Sequence, residues 1–187
     1  SAIPLYMISK RNDSTTIILQ EQNSFPGITT RLFAKKANKV CIAFEEPNYT
    51  LGDNAVITGN PVRKGIGEGN RKNGFYEFKL KEKNKTIFLF GGSQGSAYLN
   101  KLIGKIAEKI SNSGIQLLWQ TGDLEFQKYN HLESENIRII PFVNNMADAY
   151  SISDLIVCRS GALTLAEITV CGKPSILIPF QFAAGDH

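Results

Sequence analysis

Histidine is almost absent from this chain: His131 and His187 are the only two among 187 residues. Cysteine is nearly as scarce, and Cys41, Cys158 and Cys171 form an odd set with no C-x-x-C pair. A disulfide framework and a thiolate zinc site are both excluded by that count and spacing. The thiols read as reduced groups of a cytosolic protein, two of them buried. No D-x-D triplet occurs, and no His/Cys/Asp cluster has ligand spacing, so no metal and no cofactor are expected. No apolar run approaches the roughly 18 residues of a membrane span, and no signal-peptide pattern is present. Internal repeats and low-complexity tracts are missing too. The net charge of +4 is compatible with anionic ligands or a membrane surface, and too weak to argue for nucleic acid. What is there is ordinary: 42% hydrophobic and 20% charged residues, the composition of a globular protein of one large or two small domains.

Strand and helix patterns alternate twice along the chain. In the first stretch, "TTIILQ" (15–20) and "KVCIAF" (39–44) read as buried strands, and "GITTRLFAKKAN" (27–38) as a helix after Pro26. "NAVITGNPVR" (54–63) ends the stretch in turn chemistry. Polar, glycine-rich "KGIGEGNRKNG" (64–74) reads as a linker, and "FYEFKLKEKNK" (75–85) as a short helix leading onward. In the second stretch the apolar runs at 86–90, 115–119, 137–140, 155–158 and 175–179 lack polar alternation, as strands covered on both faces do. Leu99, Leu102, Ile103, Ile106 and Ile110 predict one helical face, with Gly114 beyond it as a cap. Residues 161–171 predict a second helix, stopped by Gly172-Lys173-Pro174. This alternation predicts parallel, doubly wound α/β sheets.

Gly91-Gly92-Ser93-Gln94-Gly95 fits two chemistries. As G-x-S-x-G it is the nucleophile elbow of a serine hydrolase, with Asp154 and His187 in the right chain order for a triad. As a glycine-rich turn between strand and helix it is a phosphate cradle. A third reading is a tight turn whose glycines serve only its backbone. No H-G-G-G-type oxyanion segment precedes the serine, which counts against the hydrolase. A second strand-to-helix turn, "CRSGALTLAE" (158–167), favours the cradle. In a doubly wound sheet both turns sit at the carboxyl ends of strands, where two helix N-termini can face one anion. Ser160 is either an N-cap or, with Gly161, part of that cradle. Glu167, one helical turn beyond Thr164, is either an exposed glutamate or an acceptor for a ribose diol.

Six segments in order, "QEQNSFPGITTRLFAKKANKV", "TGNPVR", "FGGSQGSAYLN", "PFVNNMADAY", "DLIVCRSGALTLAE" and "GKPSILIPFQFAAGDH", resemble the MurG family, the UDP-N-acetylglucosamine: lipid-linked N-acetylmuramyl-pentapeptide glycosyltransferases of peptidoglycan synthesis. The resemblance spans nearly the whole chain and is weakest over 64–85. It implies the GT-B fold: two Rossmann-like doubly wound parallel-sheet domains, both incomplete here. Residues 1–62 are then the last part of the acceptor-side domain, 63–85 a linker, and 86–187 the donor domain. The implied activity is metal-independent, inverting transfer from UDP-N-acetylglucosamine to undecaprenyl-pyrophosphoryl-N-acetylmuramyl-pentapeptide. The implied location is the cytoplasmic face of the inner membrane, with peripheral attachment; "LYMISKR" (5–11) is a remnant of that docking surface.

Carried over by motif, the implied donor-site residues are Asn23, Arg63, Ser93, Val143, Ala162, Leu163, Thr164, Leu165, Ala166 and Glu167. Ser93 is then a pyrophosphate contact in a turn of Gly91, Gly92, Gln94 and Gly95, and Val143 meets uracil through its backbone. Taken singly, Asn23 could hold a turn, Arg63 could be a surface cation and Val143 could be core. The family's G-G-T-G-G-H turn, with its candidate catalytic base, has no counterpart here, and neither has its donor-contacting glutamine. The chain is therefore expected to be a central piece of about half the enzyme, unable by itself to transfer sugar. A UDP-sugar epimerase of the same fold and a non-catalytic nucleotide-binding module are the competing readings.

Overall fold

The computed structural model describes residues 2–10, 15–45 and 51–180, and the chain divides between Pro61 and Val62 into two compact units. In the first unit α1 (Ala2–Ser9) precedes β1 (Ile18–Glu21), α2 (Ile28–Phe33), β2 (Lys39–Ile42) and β3 (Ala55–Ile57). The three strands form a parallel sheet in the order β1-β2-β3. A parallel pair cannot be closed by a tight turn, and α2 supplies the crossover between β1 and β2. The helix expected over 27–38 is shorter, its last turn tightening into a 3-10 turn at Ala34–Lys36. Leu19, Phe33, Ala34, Ala37, Val40 and Leu51 fill the core under this sheet.

The second unit contains α3 (Arg71–Glu77), β4 (Thr86–Phe90), α4 (Ala97–Gly104), α5 (Ala107–Asn112), β5 (Gln116–Gln120), α6 (Asp123–Tyr129), β6 (Ile137–Ile140), α7 (Met146–Ile152), β7 (Leu155–Arg159), α8 (Ala162–Cys171) and β8 (Ser175–Ile178). Its five strands are parallel, in the order β6-β5-β4-β7-β8. Side chains alternate across this sheet into two cores. Phe88, Phe90, Leu118, Ile156 and Cys158 enter one, with α3 and α7 residues. Leu89, Leu117, Trp119 and Val157 enter the other, with Tyr129. Both faces are covered, which is why these strands carry no polar alternation.

Two further expectations differ from what is seen, besides the short helix expected over 75–85, which lies at Arg71–Glu77 and starts inside the stretch read as a linker. The single helix predicted over 99–110 is two: Lys105 N–H and Ile106 N–H bond to the carbonyls of Leu102 and Ile103, closing α4 with i to i+3 bonds. Gly104 lies against the Tyr129 ring, where a Cβ would come within 2.9 Å of a ring carbon, so a poor helix former sits at the break. Leu102 and Ile106 are exposed as a result, while Leu99 is buried. Gly114 follows α5 with φ +77°, the left-handed cap expected. The second difference is the 63–85 segment, which belongs to the second unit and does not join two units as a tether. Ile66, Phe75, Phe78 and Leu80 lie in the Phe88 core. Two of its glycines serve close packing: a Cβ on Gly69 would stand 2.0 Å from the Ala147 carbonyl oxygen, and one on Gly74 would stand 2.6 Å from Ile152 Cγ2. Asn70 caps α3 and donates its N–H to Asp148 Oδ1 at 2.6 Å.

Candidate functional site

From β4 the chain of the second unit winds to β5 and β6 on one side, then crosses to β7 and β8 on the other. The β4/β7 boundary is therefore a topological switch point. The connections after these two adjacent strands leave in opposite directions and open a crevice at their carboxyl ends. Both turns singled out in the sequence lie there, the first after β4 and the second after β7.

The first turn is built by close backbone approach. Gly95 N–H bonds to Gly92 O at 3.1 Å, leaving Ser93 and Gln94 at the exposed tip. Gly95 has φ +78°, and a Cβ there would fall 2.0 Å from the Thr121 carbonyl oxygen. Opposite it, Gly122 has φ +84°, and its Cβ would fall 2.2 Å from the Gln94 carbonyl oxygen. Two glycines thus let the turn after β4 lie directly on the turn after β5. Asn100, buried on α4, holds the same contact by donating to Thr121 O at 2.8 Å while accepting from the Trp119 indole at 2.9 Å. Ser96 is the N-cap of α4 and accepts from Leu99 N–H.

The second turn is less self-satisfied. The N-cap of α8 is Gly161, with no side-chain cap bond, so the expected alternative of a Ser160 cap is not realised. Ser160 Oγ is enclosed and has no hydrogen-bond partner among the described residues. The first intrahelical bond runs from Leu165 N–H to Gly161 O. The N–H groups of Ala162, Leu163 and Thr164 precede it and have no acceptor within the helix. At the other end Gly172, at φ +60°, closes α8 as predicted. Arg159 ties the two turns together. Its guanidinium donates to Ser96 Oγ at 3.0 Å and to the carbonyls of Ile178 and Pro179 at 3.3 and 2.7 Å.

Glu167 and Arg63 meet in a two-pronged ion pair, Nε to Oε1 at 2.8 Å and an Nη to Oε2 at 3.0 Å. The Tyr150 hydroxyl also donates to Oε2, at 3.0 Å. Glu167 is therefore not an exposed helix glutamate: its side chain is 12% accessible, against 56% for Arg63. The bond to Glu167 raises the Arg63 pKa. Burial, then the Glu167 charge, raises that of Tyr150, so the phenol stays protonated and donates. A carboxylate offers about four acceptor sites. Oε2 is filled and Oε1 has one left.

Val143 lies in the core as a side chain. Its N–H is donated to Gln120 Oε1 at 2.8 Å and is therefore not free for a ligand. Gln120 Nε2 reaches the other way, to Gly92 O at 2.9 Å. In the first unit Asn23 follows the carboxyl end of β1. The turn there is held by Glu21, a buried carboxylate accepting from Asn23 N–H, Gly27 N–H and the Thr30 hydroxyl at 3.2, 2.8 and 2.7 Å. Asn60 of "TGNP" donates to Gln22 O at 3.1 Å.

The serine-triad alternative comes apart geometrically. Asp154 accepts from Thr86 N–H and Lys85 Nζ at the amino end of β4. Ser93 follows the carboxyl end, about 13 Å of strand away. Ser93 also lacks the positive φ of a strained elbow; Lys79 is the only non-glycine with one among the described residues. His187 lies outside the described residues. Of the thiols one is buried, Cys158, rather than two. Burial pushes its pKa up to about 12 and raises that of Cys171, so neither is a reactive thiolate. Gln120, Tyr150, Arg159 and Glu21 escaped the sequence reading. The one available signal was a polar residue closing an otherwise apolar strand, as in "IQLLWQ" and "LIVCR".

Residues 86–187 match the model of the Glycosyltransferase family 28 C-terminal domain. A relative in Flavobacterium psychrophilum, named UDP-N-acetylglucosamine--N-acetylmuramyl-(pentapeptide) pyrophosphoryl-undecaprenol N-acetylglucosamine transferase, is 40% identical over 91% of this chain and 47% of its own length. One of the same name in Cytophaga hutchinsonii is 38% identical over 98% of this chain and 50% of its own. The chain thus spans about half the length of the curated relatives it matches. Among solved structures, MurG of Acinetobacter baumannii superposes with a TM-score of 0.65 at 26% identity, over 100% of this chain and 50% of that one.

Proposed function

The chain belongs to glycosyltransferase family 28, and from that premise we propose that it forms the UDP-sugar-binding part of an N-acetylglucosaminyltransferase of peptidoglycan synthesis. The observation that carries this reading is the pair of turns flanking the β4/β7 switch point, with the Glu167–Arg63 pair on the helix that leaves the second. The diphosphate of UDP-N-acetylglucosamine sits between the turn at 91–95 and the start of α8. There Ser93, the Ser160 hydroxyl and the open N–H groups of Ala162, Leu163 and Thr164 receive it. Leu165 and Ala166 continue the wall that faces the sugar. Glu167 accepts from the ribose diol. A diol brings two hydroxyls and Glu167 has one acceptor site left, so binding displaces a bond to Arg63 and turns that cation toward the diphosphate.

In the reaction, the 4-hydroxyl of the lipid-linked N-acetylmuramyl-pentapeptide attacks the anomeric carbon and inverts it, while a base removes its proton. Charge grows on the leaving UDP, and the α8 start, the glycine turn and Arg63 stabilise it without a chelated metal. The acceptor is lipid-borne, so the enzyme works peripherally on the cytoplasmic face of the membrane. The exposed Ile3 and Met7 on α1, near Lys10, suit that attachment. No helix among the described residues is long and apolar enough to cross a membrane.

Calorimetric titration with UDP and ADP tests the site: UDP should bind tighter, with or without EDTA. Equal affinities would overturn the uracil assignment. Binding abolished by EDTA and restored by magnesium would overturn metal independence.

A further inference from the structure

We propose that Gln120 is a positioning residue that locks the phosphate turn to the base loop, so that one buried side chain sets both diphosphate grip and nucleobase choice. This rests on the nucleotide-site reading above and deepens it. Gln120 ends β5, which lies between β4 and β6 in the sheet. It is 3% exposed. Its amide spans the two neighbouring connections: Nε2 donates to Gly92 O at 2.9 Å, and Oε1 accepts from Val143 N–H at 2.8 Å. The partners dictate the amide's orientation, because a flipped amide would set oxygen against carbonyl and N–H against N–H. Among side chains, Asn is one methylene shorter, Glu lacks the donor when ionised, and Met has neither group. Both bonds lie at least partly out of water, where an unmade bond is costly, so the two loops move together or not at all.

The link has a chemical consequence. The Gly92 carbonyl closes the turn assigned to the diphosphate by accepting from Gly95 N–H at 3.1 Å, so the bond from Gln120 fixes the group on which that turn is built. Val143 lies in the connection after β6, at the same carboxyl edge of the sheet, which the nucleotide-site reading assigns to the base, and Gln120 has claimed its N–H. Gln120 thus selects which backbone groups that loop can offer a nucleobase. A side chain that only filled the core would affect stability alone.

The experiment uses the whole chain with two variants, titrated with UDP and ADP from pH 5.5 to 9, and circular dichroism to establish folding. Gln120→Glu keeps the acceptor for Val143. When ionised it turns an oxygen toward Gly92 O; when protonated it can donate there. Its UDP affinity should therefore fall below wild type progressively as pH rises, by on the order of tenfold at the top of the range. Its preference for UDP over ADP should remain. Gln120→Met removes both bonds, and should lose roughly tenfold in UDP affinity at every pH, together with most of the preference. Folded variants with UDP affinity and preference within about twofold of wild type across the range would overturn the inference while leaving the site reading intact. A wild-type chain binding UDP and ADP alike would overturn both. Should Gln120→Met not fold, the pH dependence of Gln120→Glu decides alone.

Discussion

The two turns at the switch point are built in opposite ways. After β4, the backbone satisfies itself: glycines pack carbonyl against carbonyl, Ser96 caps the helix, and Asn100 and Gln120 tie down the flanks. After β7, the helix start is left open: Gly161 contributes no cap side chain and Ser160 Oγ has no partner among the described residues. The first turn holds a shape, and the second holds out donors. Shape costs stability when disturbed, whereas open donors cost affinity. That distinction can be broken by substitution.

The largest effect should come from Gly95→Val. It forces a Cβ into the Thr121 carbonyl at a left-handed backbone position. A loss of about 3 kcal/mol or more, or failure to fold, is expected in chemical denaturation. Gly161→Ala is the contrast, since φ is −68° and the nearest atom to a new Cβ is Thr164 Oγ1 at 3.6 Å. It should cost about 1 kcal/mol or less. Similar losses at both positions would erase the difference between the turns.

Glu167→Ala should weaken UDP binding by about 1.5–3 kcal/mol by calorimetry, the range for a charge-assisted hydrogen bond. It should also reduce stability by about 1–3 kcal/mol, because the buried Tyr150 hydroxyl loses its acceptor. Unchanged UDP affinity would remove Glu167 from the ligand.

Asp154→Asn tests the far end of the same strands. Burial raises the Asp154 pKa, but the Thr86 N–H and the Lys85 ammonium more than offset that and hold it below the ordinary value. A depressed carboxylate contributes stability that is full above its unfolded pKa and is lost as pH falls through the folded one. The variant should therefore be less stable by about 1–2 kcal/mol at pH 7, and the gap to wild type should close below about pH 4. UDP affinity at pH 7 should not change. A shift in affinity would show that the two ends of β4 are coupled.

The smallest and sharpest comparison sets Ser96→Ala against Ser160→Ala. The first removes a cap and should cost about 1 kcal/mol of stability. The second removes a hydroxyl that has no hydrogen-bond partner among the described residues, so stability should change by less than about 0.5 kcal/mol while UDP affinity falls. The reverse pattern in a paired denaturation and titration would mean that the roles of the two serines are exchanged.

Seven of the eight strand positions, the parallel α/β class and both strand-to-helix turns were legible in the sequence, while β3 at Ala55–Ile57 was hidden in a stretch read for its turn. Continuous apolar runs mean a sheet covered on both faces, and glycine after a buried strand marks a turn whatever lies around it. The ends of α8 were legible too, since Gly172 stops a helix by its own backbone freedom. Local chemistry determined these features, and they need no distant partner. The tertiary structure decided the rest. "GIGEGNRKNG" read as a tether because glycine is flexible in isolation; packed on Ala147 and Asp148, the same residues supply the absence of a Cβ. Asp154 and Ser93 have triad order in the chain but sit at opposite ends of a strand, a separation that order does not encode. Arg63 and Glu167 are 104 positions apart, and Gln120 reaches Gly92 and Val143 across two strand neighbours. Which polar groups satisfy one another depends on which strands become adjacent. That choice is made by the burial of two whole sheet faces, and no single segment contains it.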